Sequence, residues 1–134
     1  MFDIIIPTHN RLENIQKVLD RISTQSDHFN CVYILIEPGT NQESIIRKYL
    51  DDKKFIKFII VENKVNLGTD ASILRTFELS DAKWVFLMGD SKLPVENFAE
   101  IIRANILNCD EVKALHFSWD SDIPFDTDIN SIVD

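Results

Sequence analysis

The sequence predicts an α/β fold, an open, mostly parallel sheet with helices on both faces. Two observations predict it. Five short runs rich in Ile, Val and Phe, at residues 2–6, 32–36, 55–61, 84–88 and 112–119, read as strands, the second and third apolar enough to be covered on both faces. Helical patterns lie between them, so strand and helix alternate four times, the order that builds parallel strands joined by right-handed crossovers.

The elements follow in turn. After the first strand, Leu12, Ile15, Leu19 and Ile22 form one apolar stripe at helical spacing. Asn10 is the expected N-cap there, with Glu13 as its capping-box partner. Ile45, Ile46, Tyr49 and Leu50 make a second stripe, opened by Thr40 or Asn41. Ile73, Leu74 and Phe77 make a third, opened by Thr69 or Asp70. Pro94 suits the first turn of a fourth helix, whose inner face is expected to be Phe98, Ile101, Ile102 and Ile106. Residues 120–134 change character, with five aspartates and no basic residue, and read as an acidic tail or the start of a second half.

Length and charge narrow the function. A chain of 134 residues fits one domain with one core. A 45% hydrophobic content excludes disorder, and no apolar run is long enough to span a bilayer. Fourteen basic against twenty-two acidic residues give a net charge of −8, which repels nucleic-acid phosphates, and no basic stripe offsets it. Cys31 and Cys109 have neither metal spacing nor a disulfide framework, so both are expected to be reduced thiols of a cytoplasmic protein.

In open α/β sheets ligands bind beyond the carboxyl ends of the strands, so those ends are the candidate site. The first strand ends in Pro7-Thr8-His9-Asn10-Arg11. Thr8 and Asn10 carry short hydrogen-bonding groups suited to a base or ribose edge, although Asn10 alone serves equally as a helix cap. His9 is read as a polar turn residue and His116 as a packed strand residue. The second strand ends in Glu37-Pro38-Gly39-Thr40, where a carboxylate can accept from a base ring or a ribose hydroxyl. Asn66-Leu67-Gly68 precedes the third helix, in which Arg75 is either a phosphate contact or a solvated position. The fourth strand runs into Gly89-Asp90-Ser91-Lys92-Leu93-Pro94, and an acid at that place can hold a metal-bound diphosphate.

Together these four stations resemble the nucleotide-binding half of the inverting GT-A glycosyltransferases of family 2, from residue 2 to about 119. That family opens with a strand and P-T-[YH]-N-R, continues with a strand ending in D-D-G-S and with N-x-G before a helix, and then reaches an aspartate cluster followed by proline. The resemblance implies a GT-A, nucleotide-diphosphosugar transferase-like domain at residues 1–119, in a cytoplasmic protein of a largely bacterial group. The implied reaction moves a sugar from a nucleotide-diphosphosugar, usually a UDP-sugar, to a hydroxyl of a carbohydrate or lipid-linked acceptor. Thr8, Asn10 and Glu37 would then hold the nucleoside, with Asp90 beside the diphosphate and a divalent manganese or magnesium ion.

The pattern departs from the family in two places. Aligned through Pro94, the D-x-D cluster reads Asp90-Ser91-Lys92, so a lysine replaces an aspartate. Lys92 could there neutralise the diphosphate in place of the metal. The two aspartates after the second strand become Glu37-Pro38. No residue is assigned as the base that deprotonates the acceptor. An inactive binding module of the same fold is the alternative reading. A nucleotidyltransferase ranks below both, because residues 7–10 lack the glycine of a phosphate loop.

Overall fold

The computed structural model describes residues 2–8, 11–39, 41–52, 57–62, 69–90 and 93–107, with the backbone alone for Thr69 and Asp70. The elements run β1 (Phe2–Pro7), α1 (Leu12–Ser23), a short 3-10 turn (Ser26–His28), β2 (Val32–Ile36), α2 (Gln42–Asp51), β3 (Phe58–Glu62), α3 (Thr69–Leu79), β4 (Trp84–Leu87) and α4 (Phe98–Ile106). The expected strand at 112–119, with Cys109 and His116, lies outside the described residues, as do the N-x-G turn and the tail.

All strand pairs are parallel and the sheet order is β3-β2-β1-β4. β1 is central and β2 lies between two neighbours, so each is buried along almost its whole length. β3 is an edge strand with Ile59 exposed, so its apolar run does not mark coverage on both faces as expected. Alternation across the pleat sorts the apolar side chains. Phe2, Ile4, Ile6, Val32, Ile34 and Ile36 pack under Ile15, Val18, Leu19 and Ile22 of α1, Ile46 and Leu50 of α2, and Phe98, Ala99 and Ile102 of α4. The opposite face carries Ile5, Cys31, Tyr33, Leu35 and Val61 against Ile73 of α3. Helices therefore cover both faces, as the sequence predicts, among the described residues three on one side and one on the other.

Several helix details differ from the expectation. The N-cap position of α1 is Arg11, not Asn10, and no side chain caps it. Glu13 instead approaches Lys17 at 3.6 Å, one turn on. Ile45, Leu74, Phe77 and Ile101 are exposed, although each was expected on an inner face. In α3 the inward positions are Ile73 and Thr76, whose hydroxyl donates to Ser72 O at 2.8 Å and so enters the core satisfied. α4 begins four residues after Pro94, because Val95 O accepts from Phe98 N and closes a turn first. Its first amides are capped from afar, Gln25 Oε1 accepting from Ala99 N at 2.8 Å and Glu100 N at 3.2 Å.

The amino-terminal edge of the sheet is tied by one buried carboxylate. Asp3 accepts from Cys31 N at 3.1 Å, Asn30 Nδ2 at 3.2 Å and Ser80 Oγ at 2.5 Å, which joins β1, the approach to β2 and the end of α3. Burial, then the nearby Asp3 charge, pushes the free Cys31 thiol up to about 11. The opposite, carboxyl-terminal edge carries the residues singled out from sequence.

Candidate functional site

Strand order makes a crevice at one place. From β1 the chain steps to β2 and β3 on one side, whereas β4 lies on the other. The connections leaving β1 and β4 therefore diverge beyond their carboxyl ends, which is the topological switch point where such sheets bind ligands. Thr8 follows β1 directly, held by donation of its amide to Leu35 O at 3.0 Å. Met88 continues from β4 and donates its amide to Ile5 O at 2.9 Å, which sets the loop that carries Asp90.

The two loops meet through side chains. Thr8 Oγ1 donates to Asp90 Oδ2 at 2.9 Å, and Arg11 Nη1 lies 3.4 Å from Asp90 Oδ1. Thr8 is 2% exposed and Asp90 5%, whereas the Arg11 side chain is 50% exposed. A carboxylate this buried needs a charge partner and a donor, and it has both. The far side of the loop is pinned too, since Arg21 Nη1 donates to Pro94 O at 2.7 Å.

Glu37 lies at the same sheet edge, exposed, just past β2. The turn after it is fixed from β3: Gly39 N donates to Glu62 Oε1 at 3.2 Å, and Gly39 takes φ +80°, a left-handed conformation that favours glycine. Asn10 and Lys92 lie outside the described residues, together with His9, Thr40 and Ser91. Arg75 sits on the exposed side of α3. The structure thus brings together Thr8 and Asp90, both singled out from sequence, and adds Arg11, which sequence reasoning quoted in a motif without giving it a role. The available signal was a cation one turn past a strand end, with an acid at the end of the neighbouring strand.

The donor set decides what the crevice can hold. A magnesium or manganese ion takes oxygen ligands, and carboxylates carry most of such sites. Among the described residues no three His, Cys, Asp or Glu side chains gather for a metal. Both Asp90 oxygens are already engaged, one by a hydroxyl and one by a guanidinium. A dication bound to either would stand roughly 5 Å from Arg11, a repulsion on the order of 6 kcal/mol at an effective dielectric of about 20. These residues do not fit a resident divalent ion. Asp90, expected as its ligand, is instead paired within the protein.

Comparison with known proteins agrees with the fold. Residues 3–93 match the model of glycosyl transferase family 2. No curated protein sequence matches the chain. Among solved structures, the chain resembles the mannosyltransferase PcManGT from Pyrobaculum calidifontis, in complex with GDP-Man and Mn2+, with a TM-score of 0.67 at 19% identity over 76% of this chain. It also resembles residues 1–349 of S. aureus TarS in complex with UDP-GlcNAc, with a TM-score of 0.66 at 17% identity over 78% of this chain. The matches cover 31% and 30% of those chains.

Proposed function

The chain belongs to glycosyl transferase family 2 and has the GT-A fold, and we propose that it forms the donor-binding part of an inverting glycosyltransferase. The reaction moves a sugar from a nucleotide-diphosphosugar, a UDP-sugar first among the candidates, to a hydroxyl of a carbohydrate or lipid-linked acceptor. One observation carries the reading: the Thr8–Asp90 hydrogen bond closes the floor of the crevice at the switch point, where the strand-end acid of this family lies. The two solved neighbours, named as complexes with GDP-Man and UDP-GlcNAc, support the ligand class.

Each residue has a role in this reading. Glu37, with Asn10, accepts from the base or ribose, on a turn held in place by the Gly39–Glu62 contact. Thr8 keeps Asp90 in position, and its burial keeps water from that carboxylate. Inversion needs the acceptor hydroxyl to attack the anomeric carbon as the nucleoside diphosphate departs with its electron pair. The group that takes the acceptor's proton belongs to the part of such enzymes that follows the nucleotide-binding half. Residues 120–134 are either its beginning or an acidic tail. Binding without turnover is a second reading, favoured by Lys92 and by Glu37-Pro38 in place of the family's aspartates.

Calorimetric titration with UDP, GDP and thymidine diphosphate tests the reading. Saturable heat with one of them, reduced in Glu37→Ala, is the expected result. No heat with any of the three, from protein shown by circular dichroism to be folded, would remove the donor-site assignment.

A further inference from the structure

A nucleoside diphosphate brings about three negative charges into a crevice whose floor is a buried carboxylate. Something positive must meet them, and in this fold a divalent ion is the usual expectation. The Asp90 oxygens are engaged by Thr8 and Arg11 instead.

From this pairing we infer that Arg11 itself is the cation that receives the donor's diphosphate, so that nucleotide binding at this site is independent of a divalent metal. The inference rests on the donor-site reading above. Three features support it. First, a guanidinium has five N–H donors in a planar fork, and among the described residues Asp90 engages Arg11 through one nitrogen. The remaining donors suit two phosphate oxygens at once, which a point charge does not. Second, the side chain is half exposed while Asp90 beneath it is buried, so the pair presents its positive end outward. Third, Arg11 stands at the N-cap of α1, a twelve-residue helix with no side-chain cap, so the first-turn amides lie beside it. Glu13, the acid of that turn, is drawn toward Lys17.

The pair also explains why an acid can be buried under a site for anions. Arg11 stands between the Asp90 carboxylate and the crevice and offsets its charge, so its outward donors and the first-turn amides of α1 face the diphosphate in place of a bare carboxylate. The nucleoside makes no use of Arg11, so the diphosphate alone should register its loss.

The test compares UDP with uridine, and GDP with guanosine, by calorimetry in EDTA and again in manganese. In the unaltered chain the diphosphate is expected to bind with the same affinity, within about twofold, in both buffers. Arg11→Ala is expected to weaken the diphosphate at least tenfold and leave the nucleoside within about twofold, with Arg11→Lys recovering part of the loss. Thermal melting of each variant accompanies the titrations, and the nucleoside affinity reports whether the crevice is still formed. Diphosphate binding that requires manganese would overturn the inference. So would equal losses of diphosphate and nucleoside in Arg11→Ala and Arg11→Lys, or a tenfold loss in Lys92→Ala with none in Arg11→Ala. Absence of binding by every nucleotide and nucleoside in the unaltered chain would instead defeat the donor-site reading on which this rests.

Discussion

Replacing Thr8 by Val is the sharpest probe of the crevice floor. The two side chains are nearly the same shape and both suit a strand end, so the change removes one hydroxyl and little else. That hydroxyl donates to Asp90 Oδ2 at 2.9 Å, and the acceptor is 5% exposed, so water does not readily replace it. A hydrogen bond to a charged group contributes about 1.5–3 kcal/mol, and the loss falls at the high end when the abandoned acceptor stays buried. The expected cost is therefore about 2 kcal/mol. For a domain of this size the urea m-value is about 2 kcal/mol/M, so the unfolding midpoint should fall by about 1 M. Urea melts followed by circular dichroism measure it, with Thr8→Ser as the control that keeps the donor. A shift below about 0.2 M in Thr8→Val, or an equal shift in Thr8→Ser, would refute the claim that this bond holds Asp90 in place.

Other consequences can be measured on the same protein. Gln25→Ala uncaps α4 from a distance and should cost about 1–2 kcal/mol, read by urea melting and by faster amide exchange at Ala99 and Glu100. Gly39→Ala meets nothing within 4 Å, so its cost of about 1 kcal/mol should be backbone strain alone, and Gly39→Asn should cost less than Gly39→Ala. Cys31 titrates near 11 rather than 9.0 when folded, so its contribution to stability is complete below pH 9 and is lost as the pH rises toward 11. Melts across that range should show a steeper decline in the unaltered protein than in Cys31→Ala, and native Cys31 should resist alkylation at pH 8.

How much of this was legible depended on whether the signal was local. β2 was read to the residue and β1 to within one, because a strand buried in the sheet leaves a compact apolar run between polar turns, and β4, half-buried at the other side of the sheet, was read to within one because polar residues bound its run closely. β3 begins at Phe58, three residues later than expected, and as an edge strand it carries the same kind of residues without the coverage. Stripes in α1 were legible since only one side of that helix is apolar. In α3 and α4, apolar residues occupy more than one side, and periodicity alone could not reject Leu74 (62% exposed), Phe77 or Ile101. Pro94 looked like a helix start because proline favours that place, yet Arg21 and Gln25 bind the connection from the neighbouring α1 side, and no local pattern reports a partner more than seventy residues away. Thr8 and Asp90 were found through strand ends, which sequence marks well. Arg11 was quoted without a role because its pairing with Asp90, 79 residues on, leaves no local pattern.

The contacts that shape the crevice span the chain unusually far: 82 residues between Thr8 and Asp90, 79 between Arg11 and Asp90, 73 between Arg21 and Pro94, and 74 between Gln25 and Ala99. One uninterrupted stretch, residues 8–25, supplies every near partner, and residues 90–100 supply every distant one. Closing loops of such length costs more chain entropy than local contacts do. On the ribosome the first stretch leaves the exit tunnel long before the second has been synthesised. During that interval the central strand has β2 on one side and an open edge on the other, the position that β4 will fill. The floor of the crevice thus exists only once residue 90 is in place: a chain truncated before it can carry β1, α1 and β2 in full and still lack the Thr8–Asp90 contact.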